Sequence, residues 1–291
     1  MNHPDYNSPV ALKAFLDANG LAAHKKFGQN FLVNGAAREK IIDLLDVGER
    51  VRVWEVGPGL GAMTGEILRR GAELTAFEID RGFARLLREL FSPYAERGRF
   101  SLVEGDVLKT WRRHADEHGR ADRFFGNLPY NAAAAIIADT IHEGVRFEKM
   151  VVTVQKEVAQ RMTARPASGQ YSSFSVLCQW AYEARTAMEL AGGSFWPVPN
   201  VASRAVLLIR RDDFPRCQNP GLFLRMTRQL FSSRRKTARN NLLPLCGGET
   251  CDLALARAGI RAEERAENLG VEALLALSDR LNETMQGASN G

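Results

Sequence analysis

The sequence predicts an α/β chain, an open and mostly parallel sheet with helices between its strands, followed by a helical tail. Three observations carry this. Short apolar and β-branched runs alternate with helical spacing from residue 51 to 154, the pattern of successive βαβ units. The first run, Val51-Arg-Val-Trp-Glu-Val56, breaks into Gly57-Pro-Gly-Leu-Gly61, a buried strand ending in a tight loop that opens a helix. Beyond Pro220 the spacing is helical with no convincing strand, which sets the tail apart from the sheet.

At 291 residues, with 45% hydrophobic and 25% charged residues, the chain has the make-up of a soluble protein with one large and one small domain. We expect domains over 1–212 and 213–291, with 1–34 as an N-terminal extension and lid. The four cysteines form no C-x-x-C pair and no zinc spacing, so no metal is expected and a reducing compartment is. The first ten residues have no apolar core of signal-peptide length, and no apolar run approaches the 18 or so residues of a membrane span. A cytoplasmic monomer without membrane attachment is the expectation.

In chain order, residues 9–20 read as a helix stopped by Gly20. His24-Lys-Lys-Phe-Gly-Gln-Asn-Phe-Leu32 fits neither period; it is a solvated charged turn or a lid, feeding a helix around 36–45. After the glycine loop come helix 63–70, strand 74–77, helix 83–90, strand 100–103, strand 123–125, helix 132–142 and strand 150–154. A helix then follows Gln155, a breaker-rich loop covers 165–169, and a further helix covers 174–180. Two more strand-like stretches, 183–190 and 205–209, flank Phe195-Trp-Pro-Val-Pro199, a stiff aromatic surface suited to stacking and equally to packing.

Ligands of such sheets lie at the carboxyl ends of the strands. Gly57, Glu78, Asp106 and Asn127 follow the first four strands, whereas structural polar residues would scatter over both ends. The loop is G-x-G-x-G rather than G-x-G-x-x-G and no Gly-Lys-Ser/Thr follows, which disfavours pyrophosphate and triphosphate ligands. Glu78 stands about 20 residues beyond the loop, where an acid binds the ribose hydroxyls of an adenosine ligand. Asp106 suits an exocyclic amine such as that of adenine, and equally a turn cap. Asn127-Leu128-Pro129-Tyr130 sets an amide, a carbonyl-rich turn and a flat ring together, which is what a flipped-out base requires and also what an ordinary loop can contain.

The net charge of +5 is local. Residues 214–248 hold seven basic residues and no acid, leaving 5 − 7 = −2 for the rest. On a helix over 221–240, Phe223, Met226 and Leu230 share a face while Arg225, Arg228, Arg235, Lys236 and Arg239 lie opposite. Ser232-Ser233 threatens that helix. Such a face is either simply solvated or tracks phosphates.

Seven stretches carry a resemblance that covers nearly the whole chain: Phe27-Gly-Gln-Asn-Phe-Leu32, Glu55-Val-Gly-Pro-Gly-Leu60, Phe77-Glu-Ile-Asp80, Glu104-Gly-Asp106, Asn127-Leu-Pro-Tyr-Asn131, Gln155-Lys-Glu-Val-Ala159 and Phe231-Ser-Ser-Arg-Arg-Lys-Thr-Ala-Arg-Asn-Asn-Leu242. The sequence resembles the KsgA-type ribosomal RNA adenine dimethyltransferases. The glycine loop is of low specificity, Asn-Leu-Pro-Tyr narrows the choice to amino-group methylation, and the Arg234 to Leu242 stretch is the most specific. The resemblance implies a Rossmann-like, seven-stranded class I methyltransferase sheet with a small helical C-terminal domain, and S-adenosyl-L-methionine as donor. It implies cofactor contacts at Asn30, Leu32, Gly57, Glu78, Asp106 and Asn127. The implied substrate is two adjacent adenosines near the 3′ end of small-subunit (16S) ribosomal RNA, dimethylated at N6 within an assembling pre-30S particle. Lys25, Lys26, Arg225, Arg228, Arg234, Arg235, Lys236 and Arg239 would hold the RNA. Ala132-Ala-Ala-Ala135, Asn200 and Ala202 depart from the family pattern, which bears on substrate positioning more than on the chemistry.

The expected chemistry is in-line attack of N6 on the sulfonium methyl. The Asn127 side-chain oxygen and the Leu128 and Pro129 carbonyls would accept the amino protons and Tyr130 would stack the base, with Phe195 on its other face or in the core. Two other readings compete: methylation of large-subunit RNA, which the Arg234 to Leu242 stretch argues against, and an RNA-binding assembly factor without turnover, which the intact Gly57, Glu78, Asp106 and Asn127 argue against.

Overall fold

The computed structural model describes residues 3–22, 29–128 and 130–289, with the backbone alone for Tyr130, Asn131, Ala288 and Ser289. Its chain divides into two compact units, Met1–Ala159 with Arg185–Arg210, and Gln160–Ala184 with Arg211–Gly291.

The first unit is built on a seven-stranded sheet. Its strands are β2 (Arg52–Val56), β3 (Glu73–Glu78), β4 (Phe100–Glu104), β5 (Arg123–Asn127), β6 (Lys149–Gln155), β7 (Tyr182–Leu190) and β9 (Ser203–Arg210), in the order β4-β3-β2-β5-β6-β9-β7. The pairs from β4 through β6 are parallel, and β9 runs antiparallel to β6. The two-residue strands β1 (Phe31–Leu32) and β8 (Phe195–Trp196) pair antiparallel, Leu32 opposite Phe195. Val53, Trp54, Glu55 and Val56 are all buried, because helices cover both faces of a parallel sheet. Trp54 packs edge-on against Phe77 and Phe147. A second apolar cluster joins Ile41, Ile42, Leu45, Ile67, Phe83, Leu87 and Phe91.

Helices α1 (Pro9–Ala18), α2 (Gly35–Leu45), α3 (Ala62–Arg69), α4 (Arg81–Leu90), α5 (Ser92–Ala95), α6 (Val107–His118), α7 (Tyr130–His142) and α8 (Lys156–Met162) alternate with these strands as far as residue 162. Side chains close several first turns: Ser8 accepts from the Ala11 amide, Asn34 from Ala37, and Asp80 from Gly82 and Phe83. Two helices are absent from the sequence expectation, the single-turn α5 and the longer α6. α6, Val-Leu-Lys-Thr-Trp-Arg-Arg-His-Ala-Asp-Glu-His, buries only Val107, Trp111 and His114, so its apolar stripe is too thin to declare a period. It supplies the crossover that two successive parallel strands require.

The second unit gathers α9 (Ser173–Ala181), α10 (Pro220–Leu230), α11 (Ala238–Cys246), α12 (Gly248–Arg257) and α13 (Val271–Ser289). It is larger than the expected 213–291, because residues 160–184 pack with the tail. Trp180 lies 4.5 Å from the Phe214 ring and 4.6 Å from the Phe223 ring, and its indole N–H donates to the Pro215 carbonyl. Tyr171 donates to the Leu269 carbonyl. The helix expected over 221–240 is two, α10 and α11, parted at Ser232-Ser233; Thr237 caps the second by accepting from the Asn240 amide. Leu222, Phe223, Met226 and Leu230 are buried on α10; each contributes about 1.5–3 kcal/mol by leaving water.

Candidate active site

Strands β2 and β5 are neighbours, but the chain leaves them toward opposite edges of the sheet. A crevice opens outside the carboxyl ends at such a switch point. Here it is a cavity of about 340 Å³, and Asn30, Leu32, Gly57, Glu78, Asp106 and Asn127 all line it. Six residues spread over 98 positions of sequence, 30 to 127, are thus brought to one place.

The glycine loop turns with positive φ at Gly57, Gly59 and Gly61. At Gly59 a Cβ would lie 3.0 Å from a carbon of the Phe31 ring, and at Gly61 it would lie 2.5 Å from one of Phe91, so a side chain has no room at either. Beneath the loop, Glu78 accepts from the amides of Gly59 (3.3 Å) and Asp80 (2.9 Å). Burial raises its carboxyl to about 7 against those donations. Glu55, also on the cavity wall, is 1% exposed and accepts from the Thr64 hydroxyl at 2.6 Å. Burial, followed in importance by the Thr64 bond that opposes it and by nearby Glu78, leaves it at about 8. Asp106 is both a wall of the cavity and the cap of α6, accepting from the Leu108 amide at 3.0 Å.

Asn127 is held on both sides. Its amide nitrogen donates to the Asn30 carbonyl at 2.6 Å, and its oxygen accepts from the Thr153 hydroxyl at 2.6 Å. An amide oxygen has two lone pairs, so one is engaged. The N-terminal segment reaches the same cavity. Tyr6 lines it and donates to the Leu60 carbonyl at 2.9 Å, while buried Arg38 donates to the Leu32 carbonyl and to the Asn7 side chain. Tyr6, Glu55, Thr64 and Thr153 are absent from the sequence-derived site. Glu55 stood inside a quoted motif, whereas nothing in the local pattern marks Tyr6 or Thr153.

Other expected residues are placed differently. The Leu128 side chain is 6% exposed and its amide donates to the Thr153 carbonyl at 3.1 Å. Lys25, Lys26, Pro129 and the side chain of Tyr130 lie outside the described residues; the Tyr130 backbone opens α7. Phe195 offers no face to a base: pairing of β8 with β1 turns it inward, 3% exposed, into the core cluster. Its neighbour Trp196 is partly exposed and stacks on Phe31 at 6.1 Å.

Of the cations on the tail, Arg225, Arg228, Arg235 and Lys236 are exposed and have no acidic partner among the described residues. Arg234 and Arg239 differ from expectation. Arg234 pairs with Glu267 at 2.8 Å and donates to the Gly169 carbonyl, and Arg239 makes a bidentate pair with Asp252 at 2.6 and 2.9 Å. Both brace the second unit internally. Their acids lie outside the window 214–248 that looked free of negative charge.

A doubly wound sheet with a crevice at its switch point and an acid closing β3 is the architecture of the class I methyltransferases, and Asn-Leu-Pro-Tyr starting at the end of β5 belongs to those that methylate amino groups. Residues 20–283 match the ribosomal RNA adenine dimethylase family. The chain is 47% identical over 283 residues to ribosomal RNA small subunit methyltransferase A of Treponema denticola, covering 96% of each. Among solved structures it resembles a dimethyladenosine transferase from Plasmodium falciparum, with a TM-score of 0.74 at 23% identity over 87% of this chain and 97% of that one. It also resembles the 23S rRNA methyltransferase ErmE, with a TM-score of 0.65 at 25% identity over 87% of this chain and 100% of that one. The protein belongs to the ribosomal RNA adenine dimethylase family.

Proposed function

We propose that this protein transfers methyl groups from S-adenosyl-L-methionine to N6 of two adjacent adenosines near the 3′ end of small-subunit ribosomal RNA, in an assembling particle. The observation that carries the reading is the meeting of Gly57, Glu78, Asp106 and Asn127 on one cavity. The residues fit the cofactor. Glu78 has its orientation fixed by two backbone amides and keeps lone pairs for the ribose hydroxyls; Asp106, with one oxygen on its own helix, has the other for the adenine amine. Phe77, Ile79, Val107 and Leu108 supply apolar wall. When bound, the cofactor supplies an electrophilic sulfonium methyl.

The chain's own part is to prepare and place the amine. The N6 lone pair is delocalised into the purine ring, so acceptors for its protons shift density back onto nitrogen as positive charge develops. The second lone pair of the Asn127 oxygen and the Leu128 carbonyl are those acceptors. Tyr130 stacks the base, and no strong general base is needed. Most of the rate comes from holding amine and methyl within attack distance. Arg225, Arg228, Arg235 and Lys236 contact phosphates, as do Lys25 and Lys26, while Arg234 and Arg239 brace the second unit.

Tritiated methyl transfer to isolated small subunits and to free RNA, with mapping of the modified nucleotides, tests substrate and reaction together. Asn127→Ala is expected to lose about 100-fold or more in turnover, as for removal of one preorganised transition-state partner. Wild-type turnover in that variant, or methylation mapped to large-subunit RNA, overturns the proposal.

A further inference from the structure

We infer that Thr153 is a positioning residue for methyl transfer, the hydroxyl that, with the Asn30 backbone carbonyl on the other side, holds the Asn127 amide in the orientation that offers its oxygen to the substrate. The inference rests on the reading of Asn127 given above. An asparagine side chain presents an acceptor on one side and a donor on the other, and the two differ by a half-turn of its terminal torsion. Facing the target, the oxygen accepts a proton of the adenine amine; the NH2 would set donor against donor.

The partners of Asn127 leave one orientation. The Asn30 backbone carbonyl can only accept, so the side-chain atom 2.6 Å from it is the nitrogen. The opposite atom is then the oxygen, 2.6 Å from the Thr153 hydroxyl, which donates to it. Thr153 is well fitted to be a fixed reference. It is 1% exposed, lies on the interior strand β6, and is the register partner of Asn127 across the parallel ladder. Its backbone carbonyl also receives the Leu128 amide at 3.1 Å, so one residue fixes both the Asn127 side chain and the start of the turn behind it. A β-branched side chain on a strand has restricted χ1 freedom, which keeps the hydroxyl aimed. Its donation also polarises the amide and leaves the remaining lone pair of the oxygen as the one available to N6. Thr153 touches neither cofactor nor substrate in this scheme and acts only through Asn127.

The test compares Thr153→Val, Thr153→Ser and Asn127→Ala, singly and as the Thr153→Val/Asn127→Ala double variant. The readouts are single-turnover methyl transfer to isolated small subunits, KM for the particle, cofactor affinity by calorimetry and thermal melting. Valine keeps the shape and removes the donor. Thr153→Val is expected to lose about tenfold in kcat, the equivalent of one ordinary hydrogen bond, with KM and cofactor affinity within about twofold of wild type. Thr153→Ser, which restores the hydroxyl, is expected to recover most of the rate, and the double variant to be no slower than Asn127→Ala alone. Should Thr153→Val melt too low to assay, the Ser variant and a Thr153→Cys variant, a weaker donor of similar size, rank in the order wild type, Ser, Cys. Wild-type kcat in Thr153→Val with Asn127→Ala slow sinks this inference alone. A Ser variant as slow as Val, or a Cys variant as fast as wild type, sinks it too, since packing rather than donation would then matter. Wild-type turnover in Asn127→Ala removes the underlying reading instead.

Discussion

Replacing Glu55 by glutamine should change how stability depends on pH more than it changes structure. The carboxyl is 1% exposed, and burial holds it at about 8 against an ordinary 4.5, although Thr64 donates to it. The folded state therefore keeps a proton that the unfolded chain releases above about pH 4.5. Stability from this group is fully present below that value and is lost as pH rises through about 8. At about 1.4 kcal/mol per pH unit, the interval sets a ceiling of about 5 kcal/mol. Glutamine keeps an acceptor for Thr64 and cannot titrate. Urea unfolding at pH 5.5, 7 and 8.5 should show the wild-type midpoint falling with pH and the Glu55→Gln midpoint falling less. Some slope will persist in the variant, because Glu78, raised to about 7, acts with the same sign. Equal slopes in the two proteins would show that Glu55 ionises freely in the fold and would refute the reasoning.

Gly61→Ala should destabilise by about 3 kcal/mol, since φ is +82° and the new Cβ would lie 2.5 Å from the buried Phe91 ring; a loss under about 0.5 kcal/mol in urea unfolding would contradict this. Phe195→Ala should cost about 3–5 kcal/mol as a core cavity, and a calorimetric melt unchanged from wild type would mean the ring is not core. Replacing Arg225 and Arg228 together by alanine should flatten the slope of log affinity for RNA against log salt by about 1.5, at roughly 0.7–0.9 per phosphate, with an unchanged melting temperature. Unaltered RNA affinity at every salt concentration would remove both side chains from the interface.

The sheet was legible because parallel strands buried on both faces read as dense apolar runs, and the strand ends then pointed to Gly57, Glu78, Asp106 and Asn127. What sequence could not show depended on partners distant along the chain. Arg234 and Arg239 sat in an acid-free window, yet Glu267 and Asp252 come back to meet them. Phe195 shared a motif with prolines that suited stacking and packing equally, and the pairing of β8 with β1 decides for the core. Thr153 has no motif of its own; its role follows from a ladder register joining residues 26 apart. Helix α6 was missed because its twelve residues bury only three side chains.

The way Trp180 is enclosed has a consequence for anyone trimming this chain. Its indole is roofed by Phe214 and Phe223 and tied to the Pro215 carbonyl, all later in sequence than residue 210, so a product ending at Arg210 would leave an uncovered indole and, separately, an unmet Tyr171 hydroxyl. Such a fragment would be adhesive rather than a minimal enzyme. The tail and the 160–184 segment form one compact unit and have to be kept together.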